Sequence, residues 1–124
     1  MNQEKKLIDL FYLSKNRSIK WKKYFPIYEK LFEKYKNKSI TFVEIGILDG
    51  GSLEIWKNYF GENSRIIGID NNPECKKLEN KKFEIFIGSQ SDPIFWQDFY
   101  NKVGSIDILL DDGGHTNEQQ IITL

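Results

Sequence analysis

The groups in this chain best suited to chemistry sit in short segments where an apolar run meets acids and glycines. Phe42-Val-Glu-Ile-Gly-Ile-Leu-Asp-Gly-Gly-Ser52 runs through Glu44 into a turn that contains Gly46, Gly50 and Gly51. A parallel α/β sheet uses such a turn to present backbone N–H groups and one carboxylate to a nucleotide-like ligand. Further on, Arg65-Ile-Ile-Gly-Ile-Asp70 reads as a second strand ending in an acid. At that position Asp70 can accept hydrogen bonds from both hydroxyls of a ribose. The two segments together predict an adenosine-bearing cofactor.

Glycine spacing narrows the choice of cofactor. A dinucleotide fingerprint places a second glycine two residues after the first, so that a pyrophosphate can approach the backbone. Here Ile47 and Leu48 follow Gly46, and the Leu48 side chain crowds that space. The pattern Glu44-x-Gly46-x-x-x-Gly50-Gly51, continued by Ser52, suits a cofactor with no phosphate and leaves Glu44 to face an ammonium group. S-adenosylmethionine fits that description. A nucleotide-linked oxidoreductase is a rival from another class, disfavoured by Leu48. A tight strand-to-helix turn with no ligand is the plainer alternative, and the pairing with Asp70 argues against it.

Two further constellations lie where later strands end. Gly88-Ser-Gln-Ser-Asp92 offers Gln90 and Ser91 to an adenine edge, while Asp92 is placed to cap the helix that follows. Asp111-Asp-Gly-Gly-His115 sets two adjacent carboxylates at a strand end, an arrangement that is costly without a cation or hydrogen bonds. His115 is the only histidine and precedes a helix N-terminus, which favours the neutral ring and suits a general base.

The elements that must position these groups alternate. Leu7, Ile8, Leu10, Phe11 and Leu13 are too dense for a solvent-facing helix and read as packed. Pro26 starts a second helix whose Tyr28, Leu31, Phe32 and Tyr35 share one face. From there a strand over 40–45, a helix over 52–59 and a strand over 65–69 are expected. A short helix capped by Asn72-Pro73 and a strand over 83–87 follow. Next come a helix opened by Asp92-Pro93, a strand over 106–110 and a last helix with the capping box Thr116 and Gln119. Such alternation implies a parallel sheet with right-handed crossovers. The fold expected is α/β, with an N-terminal helical extension over 1–38 and a Rossmann-like cofactor-binding domain over 39–124.

Composition sets outer limits. The 124 residues support one domain with a modest core. The 18 basic and 18 acidic residues cancel, so no bulk field draws the chain to nucleic acid or a membrane surface. Cys75 is the only cysteine, which excludes an internal disulfide and points to a reducing cytosol. It reads as a bystander. No apolar run reaches membrane length, and no cleavable signal is recognisable.

In chain order, Val43-Glu-Ile-Gly46, Gly50-Gly-Ser-Leu53 with Trp56, Ile67-Gly-Ile-Asp70, Gly88-Ser-Gln-Ser-Asp92 and Asp111-Asp-Gly-Gly-His-Thr116 form an ordered set. Through them the chain resembles class I S-adenosylmethionine-dependent methyltransferases. Over residues 20–124 it is similar to the macrocin and mycinamicin type of sugar O-methyltransferase, a group that includes cephalosporin-hydroxylase-like proteins. The resemblance implies magnesium-assisted methyl transfer to a hydroxyl of a sugar or another small molecule. It puts Glu44, Gly46 and Ser52 around the methionine part of the cofactor, with Gly50, Gly51 and Asp111 also on the cofactor side. Asp70 would hold the ribose and Gln90-Ser91 the adenine. Asp112 would match a magnesium ligand, and His115 the base that takes the proton from the acceptor hydroxyl.

Two departures bear on these expectations. The family usually carries Gly-Asp-Gln-Ser-Asp after the third strand, and Ser89 stands in place of the first acid. The family also supplies further acidic magnesium ligands after a fifth strand, whereas this sequence ends at Leu124. The chain is therefore expected to be the cofactor-binding half of a longer enzyme, with strand order 3-2-1-4. Its fourth strand would be an uncovered apolar edge prone to self-association, which offers a route to a homo-oligomer. A truncated, non-catalytic cofactor-binding or interaction protein is the alternative.

Overall fold

The computed structural model describes residues 30–47, 50–111 and 120–123, the last four as backbone only. Residues 30–32 are helical and Glu33–Tyr35 form one turn of 3-10 helix. Four apolar runs then form parallel strands: β1 Thr41–Ile45, β2 Arg65–Asp70, β3 Phe83–Ile87 and β4 Ile108–Asp111. Helix α1, Gly51–Phe60, follows β1, and α2, Pro93–Val103, follows β3. A 3-10 segment, Pro73–Leu78, takes the place of the short helix expected after β2.

The sheet order is β3-β2-β1-β4-β5. Its first four members confirm the expected 3-2-1-4 half. The fifth corrects two expectations. Strand β5, Gln120–Thr123, runs antiparallel to β4 with Gln120 opposite Asp111. It occupies the edge that β4 was expected to leave open, and it stands where a helix had been expected to continue. Residues 116–119, the expected capping box, lie outside the described residues.

Alternation along the strands sorts the core into two layers. Phe42, Ile66, Phe83, Ile85, Ile108 and Leu110 face α1 and pack with Leu53, Trp56, Tyr59 and Phe60. Val43, Ile45, Ile67 and Ile69 face α2 and its buried Phe99. Helix α1 comes unusually close to the sheet at Gly68, where a methyl group would sit 2.8 Å from both Ile47 and Leu53. The expected stripe on the segment before β1 is realised only in part. Phe32 is fully buried, whereas Leu31 is 42% exposed; Tyr28 lies outside the described residues.

Both proline-led starts are capped as expected. Asn72 accepts from the Glu74 amide and Asp92 from the Ile94 amide. At the start of β2, Arg65 makes a two-pronged pair with Glu84 and also donates to the Val103 carbonyl. The hydrogen bond to Glu84 raises the Arg65 pKa, against a smaller opposing effect of burial.

The outer edge of β3 is closed by one side chain of the 3-10 segment and one from the residue that caps its end. Lys76 donates to the Ile85 carbonyl at 2.6 Å, and Glu79 accepts from the Ile85 amide at 2.9 Å. That occupies backbone groups which an edge strand would otherwise offer to another chain. The Ile85 amide, and then Lys76, hold the Glu79 carboxyl below its ordinary value. A group depressed in this way stabilises the fold above its unfolded pKa, about 4.3 for glutamate, and ceases to do so as pH falls through the folded value. Glu79→Gln is therefore expected to lower the urea midpoint at neutral pH, with the gap closing below about pH 4. A gap that stays constant down to pH 3 would contradict this assignment.

Candidate cofactor site

Parallel pairing brings the carboxyl ends of the strands to one edge of the sheet. Ile45 is in register with Ile69 and with Asp111, and Asp70 with Ile87. Expected site residues from four different segments therefore line a single edge, where open α/β sheets bind ligands.

The turn after β1 is built on glycine conformations. Gly46 and Gly50 have φ of 84° and 78°, values that L side chains rarely adopt. The Gly46 amide donates to the Ile69 carbonyl at 2.8 Å, and the Gly50 amide to the Ile47 carbonyl at 2.9 Å. Gly50 then caps α1, so Gly51 and Ser52 open its first turn. Leu48, which disfavoured a pyrophosphate, lies outside the described residues.

Glu44 differs from its expected posture. Alternation places it on the face of Phe42, beneath α1, and it is fully buried. The Ser52 hydroxyl donates to its Oε1 at 2.5 Å. The first turn of α1 is thereby tied to β1, and a carboxyl group lies directly under the glycine turn.

Asp70 is the better exposed of the two acids and is held by the backbone. Its Oδ2 accepts from the Ile47 amide at 3.1 Å, and its Oδ1 from the Asn72 amide at 2.9 Å. One carboxylate therefore joins the turn after β1 to the turn after β2. Each oxygen of an ionised carboxylate can accept more than one hydrogen bond, so capacity for ribose hydroxyls remains. The Cys75 thiol, which the sequence marked as a bystander, is buried against this group. Burial raises its pKa first, and the charge and hydrogen bond of Asp70 raise it further.

Gln90 and Ser91 are exposed in the loop between β3 and α2. The Ser89 and Ser91 hydroxyls lie 2.8 Å apart, and the Asp92 amide closes a turn onto the Ser89 carbonyl. The Trp96 indole donates to the Gln90 carbonyl at 2.7 Å, a contact with no signal in the sequence beyond an aromatic at helical spacing. Asp111 ends β4, half-buried. Asp112 and His115 lie outside the described residues. No cluster of three metal-ligating side chains occurs among the described residues.

The donor set fits S-adenosylmethionine: a carboxylate where ribose hydroxyls would lie, and a second carboxyl group bound to the Ser52 hydroxyl at the start of α1. A cleft of about 350 Å³ lined by Glu54 and residues 80–83 opens at the start of β3, away from all of these groups.

The chain is similar to known O-methyltransferases in sequence and to a known methyltransferase in fold. No protein-family model matches the chain. It is 33% identical over 99 residues to the 8-demethyl-8-alpha-L-rhamnosyl tetracenomycin-C 2'-O-methyltransferase of Streptomyces olivaceus, covering 74% of this chain and 26% of that protein. With the demethylmacrocin O-methyltransferase of Streptomyces fradiae it shares 32% identity over 108 residues, covering 82% and 26%. Its fold superimposes on the MycE methyltransferase of the mycinamycin biosynthetic pathway, solved with Mg, SAH and mycinamycin VI. The TM-score is 0.74 at 27% identity, over 91% of this chain and 29% of that one. The chain thus spans about a quarter of the length of the curated relatives it matches.

Proposed function

We infer that this chain, which resembles the class I S-adenosylmethionine-dependent methyltransferases of the macrocin and mycinamicin type, is the cofactor-binding part of a sugar O-methyltransferase. The observation that carries the reading is the carboxylate of Asp70, bound to the Ile47 amide beside the Gly46 turn. It stands at the edge where Asp111 ends β4 and where Ser52, opening α1, is bonded to Glu44. The relatives' names, each an O-methyltransferase and one of them acting on a rhamnosyl group, support the activity and the acceptor class. The matched structure holds SAH and Mg, which supports the cofactors.

In this reading Asp70 takes the ribose hydroxyls. Glu44, Gly46, Gly50, Gly51 and Ser52 form the floor beneath the methionine part, with Asp111 beside them. Gln90 and Ser91 meet the adenine. Residues 39–124 make up the cofactor-binding unit, preceded by a helical extension over 1–38. His115 takes the proton from the acceptor hydroxyl as its oxygen bonds the methyl carbon and the carbon–sulfur bond breaks, with positioning supplying much of the acceleration. Asp112 would hold a magnesium ion, which when bound lowers the pKa of that hydroxyl. We place the protein in the cytosol. Among the described residues no helix is long and apolar enough to cross a membrane.

Calorimetric titration of the chain with S-adenosylhomocysteine, alongside circular dichroism, tests the reading. Saturable one-to-one binding is expected. A chain that is folded by circular dichroism and releases no heat with this ligand would remove the cofactor assignment.

A further inference from the structure

The loop from Gly88 to Asp92 is made of residues that ordinarily leave a backbone loose, yet it is fastened from beneath by α2. The Phe95 ring lies so close to Gly88 that a methyl group there would sit 2.1 Å from its Cδ1. Trp96 packs edge-on against both Phe95 and Phe99, with ring centroids 5.6 Å apart in each case. Phe99 is itself buried in the layer beneath the sheet. The indole is thus anchored on its apolar side, and its one N–H points to the Gln90 carbonyl at 2.7 Å. The result is a loop with a pinned backbone and exposed side chains at Gln90 and Ser91.

We propose that Trp96 is a positioning residue for base recognition: by holding the Gln90 carbonyl, it orients the loop that distinguishes a 6-amino purine from a 6-oxo purine. This rests on the reading that the Gln90–Ser91 loop meets the adenine. Directional discrimination needs fixed partners, because a site built to hydrogen-bond one edge rejects another only if its polar groups cannot turn to suit it. The 6-amino group donates where the 6-oxo group accepts, so a loosened loop loses preference as well as affinity. A residue that merely helped the domain to fold would weaken both ligands alike.

The experiment compares the full chain with Trp96→Phe, which keeps an aromatic ring and removes the N–H. Each is titrated with S-adenosylhomocysteine and with S-inosylhomocysteine, its 6-oxo counterpart. Loss of one neutral hydrogen bond predicts a drop of about fivefold to tenfold in affinity for the adenine ligand. Affinity for the 6-oxo ligand should change much less, so that the ratio of the two collapses. An unchanged ratio overturns the proposal, whether both affinities are retained or both fall together. Failure of the folded, unsubstituted chain to bind S-adenosylhomocysteine removes the functional reading itself, and this proposal with it. Should Trp96→Phe not fold, the indole proton of Trp96 in the unsubstituted chain gives the answer by NMR. It is expected to shift and to exchange more slowly with S-adenosylhomocysteine than with the 6-oxo ligand, and an equal response to the two overturns the proposal.

Discussion

Replacing Asp70 with alanine is expected to weaken binding of S-adenosylhomocysteine by about a hundredfold or more, the largest effect of any single substitution at this site. A hydrogen bond to a charged group contributes about 1.5–3 kcal/mol, and two ribose hydroxyls would share this carboxylate. The side chain also does structural work that alanine cannot do. It accepts from the Ile47 and Asn72 amides at 3.1 and 2.9 Å, so its removal frees the turn after β1 as well as the ribose contact. Asp70→Asn separates the two contributions. Asparagine keeps one acceptor oxygen and loses the charge, and its affinity should fall between those of wild type and alanine. Calorimetry provides the affinities and circular dichroism the check on folding. If Asp70→Ala folds and binds within threefold of wild type, Asp70 is not the ribose acceptor.

Much of the frame for this site was legible because its determinants are local. β3 occupies 83–87 as expected, and β1 and β2 depart by one residue at a single end. Their apolar residues are bounded by polar or glycine turns, which delimit short buried strands well. The caps at Asn72 and Asp92 were equally readable, since a side-chain acceptor followed by proline carries its geometry in two residues. β5 was not readable. Gln120-Ile-Ile-Thr123 is too short for periodicity to separate strand from helix, and its state is settled by pairing with β4.

The site divides along the same line. That Glu44 and Asp70 lie at or next to the ends of their strands follows from alternation of elements. That Ser52 reaches back to Glu44, or that Asp70 spans two turns, depends on how closely α1 approaches the sheet. Gly68 permits that approach, and in the sequence it is merely one residue of a strand. An acid at a strand end suggested an open carboxylate. Alternation with Phe42 already placed Glu44 on the face beneath α1, and that local rule prevailed over the charge.

The segment before β1 gives the largest expected effect on stability. Its apolar stripe is expected to pack as core, and Phe32 is fully buried in the α1 layer. Its ring lies edge-on to Phe42 at 6.0 Å and to Trp56 at 5.4 Å, and tilted against Phe60 at 5.7 Å. Phe32→Ala would leave a void walled by three aromatic rings that cannot all move in to fill it. The expected cost is about 3–5 kcal/mol, a large share of the roughly 5–15 kcal/mol that holds a domain together. Because Trp56 and Phe60 belong to α1, that void also removes a support of the helix whose first turn carries Ser52. Weaker binding of S-adenosylhomocysteine should therefore accompany the lower urea midpoint. Leu31→Ala, next to it but 42% exposed, is expected to cost less than about 1 kcal/mol. Equal costs for the two would make the segment a loosely attached extension, whereas the expected contrast makes Phe32 part of the core on which the site is built.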